Sequence, residues 1–193
     1  MRTGPLPFTA SGVEVIGFAL LCALLLGGCT FKPVGPELVD ATPSEQLVGS
    51  TRGLELTLPR YPGREPWKLS ASRGHVVLID VWATWCEPCR DALPLYQDLA
   101  REFAPRGLEV VTINVDADLR PIAPFLEEAK VSLPVVLDPE ARVAESTLKV
   151  KLMPTAFLVD KKGLVRFVHE GFDEGQLATW LAELDTLLAE PAP

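Results

Sequence analysis

Cys86 and Cys89 are the residues best placed to do chemistry in this sequence, as a C-x-x-C pair enclosing Glu87-Pro88. Two thiols at that spacing can close a disulfide and open it again. The run ahead of them, His75–Val81, is mostly apolar and rich in β-branched residues, which predicts a strand buried on both faces. A helical pattern follows, to about Phe103. A C-x-x-C at a helix start meets unpaired backbone N–H groups and the positive end of the helix dipole, which favours a thiolate at Cys86. Cys89, one turn inside, is expected to be less exposed and to act as the resolving thiol. Pro88 in the first turn costs no hydrogen bond and stiffens the loop. A structural zinc half-site would need two further ligands. The only histidines, His75 and His169, are far apart, so redox chemistry fits better.

The elements that must hold this pair can be read from period and punctuation. Leu54–Leu58 and Trp67–Leu69, separated by Pro62-Gly63, predict an N-terminal β-hairpin. In the helix after Cys86, residues Ala92, Tyr96, Leu99 and Phe103 fall at helical spacing, and Pro94 is expected to kink it. Leu108–Val115 is a second buried strand. Ile122, Phe125, Leu126 and Ala129 mark a second helix, Pro134–Leu137 a short strand, and Glu140–Lys149 a third helix. Thr155–Asp160 and Val165–Glu170 form strands about a Lys161-Lys162-Gly163 turn. A last helix is expected from about Glu174 to Leu188. Asp173 would cap it, Gln176 would complete a capping box, and Leu177, Trp180, Leu181, Leu184 and Leu188 would be its buried stripe. Strands alternating with helices give an α/β class with a mixed central sheet.

The other two cysteines, Cys22 and Cys29, lie in or beside an N-terminal apolar run, Val13–Gly28. The run is short for a membrane span, which takes about 20 residues, and it ends Leu26-Gly27-Gly28-Cys29. That ending resembles a bacterial lipobox. The expectation is that residues 1–28 are a removed signal peptide and that Cys29 becomes the lipidated first residue. An ordinary signal peptide or an uncleaved anchor would export the domain equally. Residues 29–53, rich in proline and glycine, read as lipidated cysteine plus flexible tether, and 54–193 as the domain. The net charge of −8 with no basic run argues against a nucleic-acid partner.

The stretch Val76–Pro94, V-V-L-I-D-V-W-A-T-W-C-E-P-C-R-D-A-L-P, resembles the active-site strand and helix of the thioredoxin superfamily. Its Trp-Ala-Thr-Trp-Cys-Glu-Pro-Cys core, the N-terminal hairpin and an inserted helix and strand over about Leu119–Lys149 are similar to the membrane-tethered TlpA/ResA branch. The resemblance covers roughly Leu54–Leu188. It implies a thioredoxin fold, a cis-proline at Pro154 after Met153, and a further landmark at Gly171. It also implies that Asp80 is a buried carboxylate of raised pKa that relays the proton of Cys89, where the plainer role is a strand-end hydrogen bond. Trp85, Glu87, Pro88, Met153 and Pro154 would form the substrate-docking surface, with Trp82 as core support.

The implied activity is reduction of disulfides in exported proteins, such as those of cytochrome c or copper-site maturation. A membrane thiol donor would recharge the pair. No metal, nucleotide or organic cofactor is called for, and the protein would sit extracytoplasmically, on the periplasmic side. One departure stands out. Many members of that branch carry a glutamate three positions after the second cysteine, where this chain has Ala92, and Asp91 points about 100° away on a helix. Three rival chemistries use the same residues or fold. The dithiol could run as an oxidase or isomerase. Cys86 and Cys89 could hold Cu(I) with His169. A peroxiredoxin would need a Pro-x-x-x-Thr-x-x-Cys loop, but Thr84 is two residues before Cys86 rather than three.

Overall fold

The computed structural model describes residues 42–193. The lipobox and Cys29 lie outside these residues. Among the described residues no helix is long and apolar enough to cross a membrane.

The central sheet has five strands: β3 (Val76–Trp82), β4 (Leu108–Asn114), β5 (Val135–Leu137), β6 (Thr155–Val159) and β7 (Val165–Glu170), in the order β5-β4-β3-β6-β7. β3, β4 and β5 run parallel, whereas β6 and β7 are antiparallel to their neighbours. The sheet is therefore mixed, in a thioredoxin-type α/β arrangement. All seven residues of β3 are buried, as expected of a strand with neighbours on both edges and layers on both faces.

The alternation of side chains along β3 separates two apolar layers. Val76, Leu78 and Trp82 face a cluster built from α1 (Glu87–Phe103), α4 (Leu177–Ala189) and Phe125 of α2 (Ile122–Glu128). Val77, Ile79 and Val81 face the opposite layer, with α3 (Arg142–Ser146) and the hairpin strands β1 (Thr57–Pro59) and β2 (Pro66–Lys68). β1 and β2 pair as a separate two-stranded sheet. The hairpin reaches the main sheet where the Tyr61 N–H donates to the Val135 carbonyl at 2.9 Å and Arg60 bridges Val136.

Three local expectations change. The tether was expected to extend through Gly53, but residues 42–53 fold onto the domain. Thr42 and Glu45 cap one another reciprocally around a single 3-10 turn at Glu45–Leu47. Ser44 is fully buried, Leu47 packs on the hairpin-side layer, and the Leu54 N–H donates to the Gly163 carbonyl at 2.7 Å. α3 is five residues rather than the ten of Glu140–Lys149. The Asp138 carboxylate caps it by accepting the Val143 and Ala144 N–H groups, and Lys149 at φ 59° breaks it off. α1 spans Glu87–Phe103 with Pro94 inside it, as expected of one helix continuing past the proline.

At the C-terminus the Asp173 carboxylate accepts the Gly175 N–H. The Gln176 N–H goes to the Asp173 backbone carbonyl, so a 3-10 turn replaces the capping box before α4 begins at Leu177. Trp180, Leu184 and Leu188 keep their places in the buried stripe. Leu187 is fully buried in place of Leu177, which is 36% exposed.

Leu184 is fully buried between α4 and the sheet. Leu184→Ala is expected to lower unfolding free energy by about 3 kcal/mol, and Leu177→Ala by under about 1 kcal/mol. Urea melts of the two variants check this, and equal costs would contradict the difference in their burial.

Candidate functional site: a dithiol at a strand-to-helix junction

β3 delivers the site. After Trp82 the chain leaves the sheet through Ala83-Thr84-Trp85 and enters α1 with Cys86 as its N-cap residue. The exit is pinned. The Val115 N–H donates to the Trp82 carbonyl at 3.0 Å. The Thr84 N–H and Oγ1 donate to the two carboxylate oxygens of Asp116, at 2.9 and 3.1 Å. Asp116 is itself held by the Asn114 side chain at 2.7 Å. Sequence reasoning missed Asp116, because no local spacing links it to a threonine 32 positions away.

Cys86 and Cys89 are disulfide-bonded, with Cα atoms 5.3 Å apart. The Cys89 N–H donates to the Cys86 carbonyl at 3.1 Å, closing the first turn, and Pro88 lies in that turn. Cys86 retains 6% exposure and Cys89 none. An incoming sulfur can therefore reach only Cys86, at the helix end where a thiolate is favoured.

Asp80 lies on β3 between Leu78 and Trp82, fully buried, and neither carboxyl oxygen has a hydrogen-bond partner. Burial pushes its carboxyl well above the usual carboxylate range, and the neighbouring Val81 amide opposes this only in part. Tyr96, on the buried face of α1, carries a hydroxyl that is also covered and without a partner. Burial, and secondarily the Asp80 charge, push that hydroxyl upward. Sequence reasoning took Tyr96 as a stripe residue only.

The expected docking residues divide by exposure. Trp85 is 70% exposed beside Cys86. Glu87 and Pro88 are exposed, Met153 is half-buried and Pro154 is buried. The Met153–Pro154 peptide is cis. Val81 pairs with Thr155 across the antiparallel β3–β6 ladder, so Pro154, immediately before β6, lies at the same sheet end from which β3 runs to Cys86. Gly171, at φ 79°, donates its N–H to the Pro154 carbonyl at 2.8 Å and ties the end of β7 to this corner. Leu152, 53% exposed, adds an apolar side chain that sequence reasoning did not single out. His169, the candidate copper ligand, lies within 2.6 Å of a Glu183 carboxylate oxygen through Nε2 and stacks on Trp180 at 4.1 Å.

The AhpC/TSA family model matches residues 53–168. The chain belongs to the AhpC/TSA family. The thiol–disulfide oxidoreductase ResA of Oceanobacillus iheyensis is 30% identical over 126 residues, which are 65% of this chain and 62% of that protein. The chain thus spans less than two thirds of that relative. A crystal structure described as the thiol:disulfide interchange protein DsbE from Chlorobium tepidum is 31% identical with a TM-score of 0.66, covering 72% of this chain and 96% of that one. The exposed lipoprotein thioredoxin Etrx1 of Streptococcus pneumoniae is 26% identical with a TM-score of 0.56, covering 69% and 100%.

The relatives named for thiol–disulfide exchange and the Cys86–Cys89 disulfide of this chain go together with a thioredoxin-type fold. Thr84, two residues before Cys86, donates its hydroxyl to Asp116.

The raised pKa of Asp80 sets a sign for stability. The protonated side chain is tolerated below the ordinary carboxyl pKa of about 3.9. As pH rises toward the raised native value, the native state increasingly pays for holding the proton or burying the charge. Asp80→Asn is therefore expected to be more stable than the parent at pH 7 and above, with the gap closing toward about pH 4. Denaturant melts across this range test it, and a gap independent of pH would contradict it.

Proposed function

We propose that the protein is an exported reductase that opens disulfides in extracytoplasmic proteins through Cys86 and Cys89. The observation that carries this is the asymmetric pair at the start of α1, one sulfur reachable and one sealed, with an unpartnered carboxyl in the layer beneath.

The reduced Cys86 thiolate attacks one sulfur of a substrate disulfide. A Cys86–substrate bond forms, and the second substrate sulfur leaves as a thiolate. Cys89 then gives its proton to Asp80 and attacks Cys86. The Cys86–Cys89 disulfide forms, and the remaining substrate sulfur departs with the bonding pair and takes up a proton. Trp85, Glu87, Pro88, Met153 and Pro154 form the surface on which an extended substrate lies, with the half-buried Met153 offering its backbone edge. A membrane thiol donor returns two electrons to the pair, and the chemistry calls for no metal or organic cofactor.

Residues 1–28 act as a lipoprotein signal, and lipidated Cys29 holds the domain on the membrane surface. The lipobox-like Leu26-Gly27-Gly28-Cys29 and the likeness to a pneumococcal lipoprotein thioredoxin support this. The substrate class is cysteine pairs in exported proteins, such as those of cytochrome c or copper-site maturation, a choice that rests on the likeness to ResA.

Cys86→Ser is expected to reduce a test protein disulfide no faster than the uncatalysed background. Cys89→Ser is expected to accumulate a mixed disulfide at Cys86, visible by mass spectrometry. Normal turnover by Cys86→Ser would overturn the assignment.

A further inference from the structure

Cys86 is the N-cap of α1 and stands outside its helical turns, at φ −88° and ψ 101°, with no side-chain cap bond. Cys89 belongs to the helix and is fully buried. The helix therefore fixes the inner sulfur, while placing the outer one falls to the turn ahead of it. That turn runs Ala83-Thr84-Trp85-Cys86 and is closed by the Cys86 N–H, which donates to the Ala83 carbonyl at 3.1 Å. Trp85, 70% exposed, gives it little packing.

Thr84 supplies the anchor. Its N–H and its hydroxyl grip the Asp116 carboxylate at 2.9 and 3.1 Å, one on each oxygen. Asn114 holds Asp116 from two sides. Its side-chain amide donates to the carboxylate at 2.7 Å, and its side-chain carbonyl accepts the Asp116 N–H at 3.1 Å. Asn114 is fully buried and is the register partner of Trp82 on the β3–β4 ladder, so the clamp rests on the sheet itself. Asp116 keeps only 5% exposure. Covering a carboxylate costs the fold free energy, which charge-assisted hydrogen bonds offset. Of the three that its oxygens accept, two come from the turn that carries Cys86.

We propose that Asp116 is a positioning residue for the dithiol, acting through Thr84: it keeps Cys86 within bonding reach of Cys89 when the pair is reduced, and so holds the equilibrium toward the disulfide. This rests on the dithiol reading above. Two thiols held together close a disulfide as if each met a high concentration of the other. When a thiol buffer reduces the pair, the Cys86–Cys89 bond breaks. Two buffer thiols give up two electrons and two protons to the cysteines and leave joined as one buffer disulfide. A clamped turn resists that exchange and makes the dithiol the stronger reductant. A loosened turn lets Cys86 move away once reduced and favours the dithiol.

The test is the equilibrium of the full chain with glutathione buffers of defined poise, parent and variants side by side. Asp116→Ala removes both grips on Thr84. Its equilibrium constant should shift about tenfold toward the dithiol, which raises the potential by about 30 mV. Thr84→Val removes only the grip of the hydroxyl and should shift the constant the same way by a smaller factor. Thr84→Ser retains both grips and should match the parent. Thr84→Val added to Asp116→Ala should shift nothing further. A variant pair that melts earlier yet keeps the parent equilibrium would show a merely structural carboxylate and overturn the proposal, as would a shift toward the disulfide. A shift in Asp116→Ala with none in Thr84→Val would assign the effect to the charge alone and overturn it too. Should Asp116→Ala not fold, Thr84→Val against Thr84→Ser decides. Shifts as expected about a parent potential in the oxidase range would support the clamp and count against the proposed function alone.

Discussion

The structure depends on one constraint. β3 must be held on both edges and covered on both faces while its end feeds a helix. The ladders to β4 and β6 supply the edges, and the two apolar layers supply the faces. A strand fixed in this way cannot slip, because a one-residue shift would move Asp80 and Trp82 into the opposite layer. The first turn of α1 is therefore presented at one place, and the start of β6, with its cis proline, is brought to the same sheet end by antiparallel register. The dithiol gains its position from the sheet and its acidity from the helix.

Two opposed electrostatic environments lie within a few residues of each other. At Cys86 the free N–H groups of the helix start favour negative charge. At Asp80 burial without hydrogen bonds disfavours it. The helix start favours negative charge on the outer sulfur once the disulfide opens, whereas burial favours the protonated form of the inner carboxyl. It also makes Asp80 a cost to the fold, carried by a core otherwise closed around it.

Much of this was legible in the sequence. β3 showed itself because a strand buried on both faces has no polar alternation, and the helix after it because Cys89, Ala92, Tyr96, Leu99 and Phe103 repeat at helical spacing. The less legible features depend on contacts distant in sequence. Residues 42–53 join the domain through single contacts, such as Leu54 to Gly163, and no period announces that. Asp138 caps α3 from four residues ahead, across Ala141 in a left-handed conformation, so the helix start was placed too early. The exposed position of Leu177 follows from one 3-10 turn after Asp173. Tyr96 was visible as an apolar-face residue, but the isolation of its hydroxyl is a property of the packed core alone. Asp116 carries no local motif because its partner, Thr84, belongs to another βα unit.

The central claim is that this dithiol is a reductant. The most direct measurement is the reduction potential of the Cys86–Cys89 pair, obtained by equilibrating the protein with thiol buffers of defined poise. A value near or below about −250 mV, close to that of thioredoxin, is the predicted result. A value above about −150 mV, in the range of disulfide-donating proteins, would contradict it and make the protein an oxidase or isomerase.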